Sequence, residues 1–540
     1  MKKVLVLLLV VLMMFSSTAL AYNVSEPGVI PVVDEVVEYT IVAPDTTYVN
    51  DLNENTLTSW IAEKTNVQLV FQEIPDTEWD TKVNLLIASD ELPDAFIYGG
   101  FTAAELADYG SQGVFMAMND IIEEHGYYTK QVFEQQDKLP GAYTALDGKM
   151  YTLPDINECY HCFYSMRAWI NQTWLDNLGL EYPNTLEELC EVLRAFKEQD
   201  ANGNGDPNDE IPMDFNGGFN SPYGLSQLLG STGLQITDPY PTGYFAEDGE
   251  VKNIYVDERF KRTVQFAQEL WSLGLINEEA ITQDYSKFQS LARGEGTTAK
   301  VGFTWGWERG DRFGNELMDQ YVSVPQLKET PDTEKICYAY DFYFLNYDGN
   351  RVAMSANCQN KEAAMKFIDG FYDEKVSLEV LFGGANETDG CISVGDDGSY
   401  TVLPPADSSI DPGTWKWTNS FADNGPIWVR DGLNITLGTD MQAVGEEKSV
   451  YDELFENLDP KDIYPQSFMK YSEADTNTLA MNQANINNLT DQTWSAWVTD
   501  SSRDIDAEWD SFVQSLMSSG LSQNLEIRQA AFDQYLETMA

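Results

Sequence analysis

Strand and helix patterns alternate through the first hundred residues, and this alternation restricts the chain to a small set of folds. Residues 37–42 and 67–74 are predicted strands, and residues 53–64 are a predicted helix. Trp79 and Val83 then begin a second helical stripe, four residues apart. Such alternation favours a mainly parallel sheet with helices on both faces. The sequence therefore predicts an α/β protein.

The length of the chain indicates more than one domain. Its 540 residues exceed what a single hydrophobic core usually organises. No internal repeat, low-complexity tract or long linker marks a boundary, so the domains are predicted to share the chain discontinuously. Disulfide pairing stays open, because the sequence does not choose among the pairings of six cysteines: Cys159, Cys162, Cys190, Cys337, Cys358 and Cys391.

The first 21 residues have the features of a secretory signal peptide. Lys2 and Lys3 precede an apolar run over residues 4–15, and the small residues of 19–21 form a cleavage site. The run is too short to span a bilayer as a stable helix. We expect an exported protein, extracellular or periplasmic. Because the first cysteine is Cys159, the signal end offers no thiol for a lipid anchor.

The charge of the chain excludes several partners. It carries 32 basic and 88 acidic residues, for a net charge of −56. Nucleic acid and anionic membranes require basic clusters, so neither is expected as a partner. The motifs GxxxxGK[ST], HExxH and GxSxG are absent from the sequence. A pair of catalytic carboxylates has no sequence signature, so an exported carbohydrate-active enzyme remains an alternative.

Residues 200–212, DANGNGDPNDEIP, place oxygen-bearing side chains at alternate positions, with Gly205 at position six. Loops with this spacing wrap oxygen ligands around Ca²⁺. Position twelve is Ile211, so a neighbouring acidic residue has to complete the coordination of the cation. A solvated Asn/Gly turn is the alternative. The predicted calcium ligands are Asp200, Asn202, Asn204, Asp206, Asp209 and Glu210.

The predicted calcium loop directly follows a well-marked helix. Thr185 and Glu188 have the spacing of a capping box at its start. A cation beyond the last turn would also suit the negative end of the helix dipole. A cation in this loop is expected to be structural.

Aromatic residues recur beside planar polar groups later in the chain. Sugar rings present apolar faces that stack on aromatic rings and hydroxyl edges that need polar partners, so such pairs suit carbohydrate. A place in the hydrophobic core is the alternative for each aromatic. The groups are Trp305, Trp307, Glu308 and Arg309; Asp341 and Tyr343; Trp415 and Trp417; and Trp428 and Arg430.

Several segments, in order, resemble the extracellular solute-binding proteins of ABC importers, in their large oligosaccharide-binding branch. LLIASDELPDAFIYGG at 85–100 is similar to that family's helix-to-strand signature. GSQGVFMAMNDIIEEH and LDGKMYTLP resemble its next landmarks, and the segment from WLDNLGLEYP through the loop at 200–212 resembles the one after. Residues 361–382 and 505–536 also fit.

The resemblance implies a periplasmic-binding-protein type II fold, with two discontinuous α/β lobes, a multi-strand hinge and an interlobe cleft. Residues 1–21 are then the signal peptide and 22–36 an irregular leader. The first lobe is expected to contain residues 37–153 and 328–405. The second lobe is expected to contain residues 154–327 and 406–540.

The resemblance also implies ligand contacts. The Tyr98 turn matches a cleft position of the first lobe, Glu158 matches a sugar-contacting acid, and Tyr223 and Trp305 to Trp307 match walls of the second lobe. The loop at 200–212 resembles the calcium loop of alginate-oligosaccharide binders. The expected ligand-binding residues are Tyr98, Glu158, Tyr160, Tyr223, Trp305, Trp307, Arg309, Asp341, Tyr343, Trp415 and Trp417.

The function that the resemblance implies is capture of an oligosaccharide and its delivery to separate ABC permease subunits, without a chemical step. The protein is expected to be a monomer. A peptide or other small-solute binder of the same fold is the main alternative. The sequence leaves the identity, linkage and charge of the sugar open.

Overall fold

A computed structural model of the chain describes residues 22–45, 51–75, 78–89, 91–137, 139–158, 164–219, 221–237, 243–339, 347–383, 392–405, 410, 412–421, 424–430, 432–437, 439–454 and 458–539. The strands are β1 Val37–Asp45, β2 Val67–Pro75, β3 Ala95–Ile97, β4 Leu153–Asn157, β5 Arg167–Asn171, β6 Ile211–Met213, β7 Tyr244–Glu247, β8 Glu250–Asn253, β9 Val301–Gly306, β10 Tyr321–Val324, β11 Tyr347–Met354, β12 Ile392–Val394, β13 Tyr400–Val402, β14 Trp428–Val429 and β15 Ile435–Thr436.

The helices cover both lobes. They are α1 Thr56–Thr65, α2 Trp79–Ser89, α3 Ala103–Ser111, α4 Asn119–His125, α5 Tyr128–Gln135, α6 Leu139–Tyr143, α7 Gln172–Leu178, α8 Leu186–Glu198, α9 Glu258–Ser272, α10 Tyr285–Ala292, α11 Arg309–Leu317, α12 Lys361–Asp369, α13 Glu374–Phe382, α14 Pro412–Asn419, α15 Thr439–Lys448, α16 Glu473–Thr499, α17 Ile505–Leu516 and α18 Ser522–Met539. Among the described residues, no helix combines the length and apolarity needed to cross a bilayer.

Two sheets organise the chain, one in each lobe. The larger has the order β14-β4-β11-β3-β1-β2, with β11 antiparallel to its neighbours. The smaller has the order β10-β5-β9-β6, with β5 antiparallel to its neighbours. The predicted α/β architecture is confirmed, including the two opening strands, the helix between them and the helix after the second strand.

The chain passes between the two sheets three times. It leaves the larger sheet after β4, returns to it from β10 to β11, and leaves it again after β14 for α15, which packs on β10. Strand β14 lies in the larger sheet, whereas the predicted boundary assigned residues 406–540 to the second lobe. Its parallel pairing with β4 explains this difference, because a two-residue strand has no pattern of its own in the sequence.

The helix before the predicted calcium loop forms as expected, with one difference at its start. Helix α8 buries the apolar stripe that runs from Leu186 to Phe196. Thr185 Oγ1 accepts a hydrogen bond from Glu188 N at 3.2 Å. The Glu188 carboxylate accepts from Asn184 N at 2.7 Å, one residue earlier than a capping box predicts. The N-terminal cap is therefore half of the predicted box.

Gly520 makes a kink between the last two helices. Its φ is 106°, and the chain continues through the turn at Met517–Leu521 into α18. A Cβ at this position would lie 2.3 Å from Asn482 Cγ on α16. Glycine is needed here for a kink and a close approach between helices, which a sequence pattern does not distinguish from a helix end.

A buried ion pair holds the second lobe together. Arg312 on α11 and Asp214 after β6 are both fully buried, with Nη2 and Oδ2 3.3 Å apart. Arg312 also donates to Thr304 Oγ1 at 3.0 Å and to the Trp305 carbonyl at 3.2 Å, both on β9. Asp214 accepts from Gln283 Nε2 at 2.8 Å. One guanidinium therefore joins α11, β9 and the end of β6.

Replacing Arg312 by methionine should lower the free energy of unfolding by about 3–5 kcal/mol, because Asp214 would remain buried without its counter-charge. Chemical denaturation followed by circular dichroism measures this loss. Arg262→Met is the matched control, since its pair with Glu329 is exposed and should contribute about 0–1 kcal/mol. Equal losses in the two variants would contradict the role assigned to Arg312.

Candidate ligand-binding site

The carboxyl ends of parallel strands in an α/β sheet meet at one edge, where ligands bind. In the larger sheet, Tyr98 directly follows β3 at this edge. Its φ of 55° is unusual for a residue with a side chain. Its N–H donates to the Arg351 carbonyl at 2.7 Å, and Arg351 Cζ lies 4.4 Å from the centroid of the half-buried ring. The turn and the guanidinium together fix one aromatic face at the edge.

Glu158 follows β4 at the same edge. Its N–H donates to the Val429 carbonyl at 2.8 Å, so pairing with β14 holds its backbone. Its Oε1 accepts from Gln136 Nε2 at 2.8 Å, and the residue is half-buried. The structure therefore places Glu158 and Tyr98 on one edge, as an acid and an aromatic ring of the first lobe.

The two tryptophans at the end of β9 have different environments. Trp305 is 3% exposed and packs edge to face on Phe303 at 5.1 Å, which is a core environment. Trp307 lies one residue beyond the strand and is half-buried. Its ring centroid lies 6.0 Å from Arg167 Cζ and 5.1 Å from Lys448 Nζ. Of this pair, Trp307 has the accessible ring.

Tyr223 presents a second half-buried aromatic in the same lobe. Its ring is stacked on Phe288 at 6.0 Å and on Tyr285 at 6.3 Å. Arg312 Cζ lies 3.4 Å from the Phe288 centroid on α10. The guanidinium that supports β9 therefore also supports the stack below Tyr223.

Arg309 and Trp415 make contacts within single lobes. Arg309 pairs with Glu447 and donates to the Tyr321 carbonyl at 3.4 Å. These two contacts join α11 to α15 and to β10. Trp415 lies on α14, among helices of the first lobe, where a Cβ on Gly383 would be 3.2 Å from its Cδ1. Tyr160, Asp341, Tyr343 and the Trp417 side chain lie outside the described residues.

Two buried arginines at the candidate site were not predicted from the sequence. Arg351 on β11 pairs with Asp155 at 3.3 Å and lies over Tyr98. Arg167 begins β5 opposite Gly306 and has no exposed surface. A lone arginine inside an otherwise apolar strand pattern was the available signal, since such a charge is buried only where a partner or a ligand meets it.

The loop at 200–212 is pre-ordered by its own side chains. Asp200 Oδ2 accepts from Gly205 N at 2.9 Å, and Asn202 Oδ1 accepts from Asn204 N at 2.9 Å. Asp209 accepts from the amides of Asn202 and Asn204. Within the described part of the chain, no three acidic, histidine or cysteine side chains converge closely enough to hold a metal. The predicted calcium ligands therefore share one loop, and no three of its acidic side chains converge in this structure.

Two atoms of this loop nevertheless fit a cation. Asp200 Oδ1 and Glu210 Oε2 are buried and accept no hydrogen bond. Burial raises the pKa of Glu210, because its charge is partly desolvated. A hard cation prefers such carboxylate oxygens. The two groups stand at opposite ends of the loop, where α8 ends and β6 begins.

The two α/β sheets, the three chain crossings and the aromatic side chains at the sheet edges define a two-lobed solute-binding protein with a type II periplasmic-binding-protein fold. The family model described as "Bacterial extracellular solute-binding protein" matches residues 47–376, more than half of the chain. The chain belongs to this family.

Relatives extend the similarity over nearly the whole chain. It is 27% identical over 503 residues to the fructooligosaccharide ABC transporter substrate-binding protein FusA of Streptococcus pneumoniae, covering 90% of this chain and 88% of that protein. A solved HMO-binding, ABC-transporter-associated solute-binding protein of Bifidobacterium longum infantis has a TM-score of 0.81 and 27% identity, covering 93% and 99%. A FusA EF-hand mutant solved with fructo-nystose has a TM-score of 0.78 and 25% identity, covering 93% and 100%.

The close packing of the turn at Tyr98 can be tested by substitution of the glycine that follows it. A Cβ on Gly99 would lie 2.3 Å from the Phe101 ring, so Gly99→Ala should lower the free energy of unfolding by roughly 1–3 kcal/mol. Thermal unfolding measures the loss. Gly218→Ala is the control, because a Cβ there meets no atom within 4 Å and stability should stay nearly unchanged. Tolerance of both substitutions would contradict a rigid Tyr98 turn.

Proposed function

We propose that this exported protein captures an oligosaccharide between its lobes and delivers it to the permease of an ABC importer. The observation that carries the proposal is a half-buried aromatic ring beside a guanidinium on each sheet edge, Tyr98 with Arg351 and Trp307 with Arg167. Sugar faces stack on such rings and sugar hydroxyls meet such polar groups. The fructooligosaccharide- and HMO-binding relatives support the same class of ligand.

The proposed mechanism requires no chemical step. A ligand that contacts both lobes favours the closed arrangement by its differential affinity, and the permease recognises that arrangement. Permease and ATPase act as separate chains. The protein works as a monomer outside the cytoplasm.

Titration with oligosaccharides tests the proposal, with intrinsic fluorescence from the 13 tryptophans as the signal. Tyr98→Ala and Trp307→Ala should each weaken sugar binding roughly tenfold or more, because each removes a stacking face. The melting temperature of the free protein should change little, since both rings are half-buried. Tyr127→Ala is the control, because this 49% exposed ring lies at the start of α5, outside the proposed site.

Three results would redirect the assignment. Binding of peptides without any oligosaccharide would favour a peptide carrier of the same fold. Turnover of a glycan by the purified protein would favour an enzyme. Unchanged sugar affinity in both aromatic variants would contradict the site.

We also infer that the loop at 200–212 binds Ca²⁺ as a structural cation. Asp200 and Glu210 would hold it through their partnerless oxygens, with further oxygens from Asn202, Asn204, Asp206 and Asp209. The EF-hand described for the pneumococcal relative supports a cation loop in this branch. A bound cation would neutralise the buried carboxylates and join the end of α8 to the start of β6. The loop lies apart from the aromatic edge residues, so the role is stabilisation.

Removal of calcium by a chelator should lower the melting temperature by several degrees, while sugar affinity at fixed temperature stays within about twofold, because binding to the folded state alone stabilises it. Differential scanning calorimetry with and without Ca²⁺ measures the shift. Glu210→Gln should abolish most of this shift but leave the calcium-free protein as stable as before, since it removes a desolvated charge. Asp248→Asn on an exposed turn is the control. A chelator that abolished sugar binding first would place the cation in the binding site.

A further inference from the structure

Arg167 stands at the carboxyl edge of the second sheet with an unsatisfied guanidinium. The side chain has no exposed surface, and its Nε, Nη1 and Nη2 atoms all lack hydrogen-bond acceptors. Burial lowers the pKa of this group, although nearby Glu447 and Glu308 oppose the shift. Leaving buried donors without acceptors costs about 1–3 kcal/mol, and more for a charged group. A ligand at this edge would supply the missing acceptors.

Glu447 on α15 has a buried carboxylate oxygen that lacks a hydrogen-bond donor. One of its carboxylate oxygens accepts from Arg309 Nε, while Oε2 is buried and accepts no hydrogen bond. The positive charges of Arg309 and Arg167 both lower the pKa of Glu447 against the rise caused by burial. Geometry places Glu447 in the same region as Arg167: Glu447 pairs with Arg309, two residues after Trp307, and the Trp307 ring centroid lies 6.0 Å from Arg167 Cζ and 5.1 Å from the Nζ of Lys448. Arg167 and Glu447 nevertheless form no ion pair with each other within 4.0 Å.

The two groups together select the chemistry of the ligand. An arginine only donates hydrogen bonds and a carboxylate only accepts them, whereas a sugar hydroxyl does both. Two adjacent hydroxyls can accept from Arg167 and donate to Glu447. A ligand carboxylate would satisfy Arg167, but it only accepts hydrogen bonds and would leave Glu447 Oε2 without a donor.

We propose that Arg167 and Glu447 form a subsite for adjacent hydroxyl groups of an uncharged sugar residue, so that the protein takes neutral and not acidic oligosaccharides. This specificity rests on the proposed function. Trp307, whose ring centroid lies 6.0 Å from Arg167 Cζ, supplies the aromatic face on which the sugar stacks. The net charge of −56 also repels acidic chains as they approach.

Calorimetric titration of the calcium-loaded mature protein tests the subsite with two panels of matched length. One panel contains neutral fructo-, galacto- and manno-oligosaccharides, and the other contains oligogalacturonates and alginate oligomers. The best neutral ligand should bind at least tenfold more tightly than any acidic one. Arg167→Met and Glu447→Gln should each weaken its binding tenfold or more, and the double variant should lose less than the product of the two factors, because the groups act on one diol. Arg262→Met, on a distant exposed pair, should change affinity by less than twofold.

The outcomes separate the subsite from the wider function. Preferred binding of an acidic oligosaccharide, strengthened by Glu447→Gln, would overturn the neutral specificity while keeping the function as a sugar carrier. Unchanged affinity for a neutral ligand in both variants would overturn the subsite alone. Failure of both panels to bind would instead overturn the proposed function. If Arg167→Met did not fold by circular dichroism, Arg167→Lys and Glu447→Gln would decide, since lysine keeps the charge but lacks the planar fork of donors.

Discussion

The ion pair between Arg312 and Asp214 is the interaction on which the candidate binding surface of the second lobe depends. Arg312 reaches the Trp305 carbonyl and the Phe288 ring, so one buried cation supports both the strand before Trp307 and the stack below Tyr223. A rearrangement of this pair would displace both walls at once. The site is therefore pre-organised from beneath, which reduces the ordering that a ligand must impose on binding.

The sequence predicted regular elements well because their periodicity reports burial directly. The opening strands and helices and α8 all follow from local patterns of apolar residues. Strand β14 and the kink at Gly520 have no such local pattern, because tertiary contacts determine them, namely pairing with β4 and the approach of Asn482. Lobe boundaries and the ligand contacts themselves remain predictions.

The candidate site was harder to predict than the fold, since composition cannot separate accessible aromatics from core aromatics. Trp305 and Trp307 are two residues apart, yet one is buried in the core and the other is half-exposed beyond the strand end. A buried arginine places a positive charge beside the aromatic ring at each edge, Arg351 beside Tyr98 and Arg167 beside Trp307. The role of each arginine depends on which hydrogen-bond partners the fold supplies. That information exists only in three dimensions.

The pairing of β14 with β4 has a consequence for biosynthesis. Strand β4 is buried along its whole length, and its outer partner is formed by residues 428–429, far later in the chain. Until those residues leave the ribosome, β4 has an unpaired edge that can associate with other extended segments. The larger sheet of the first lobe is therefore completed only after residues 428–429 have been translated.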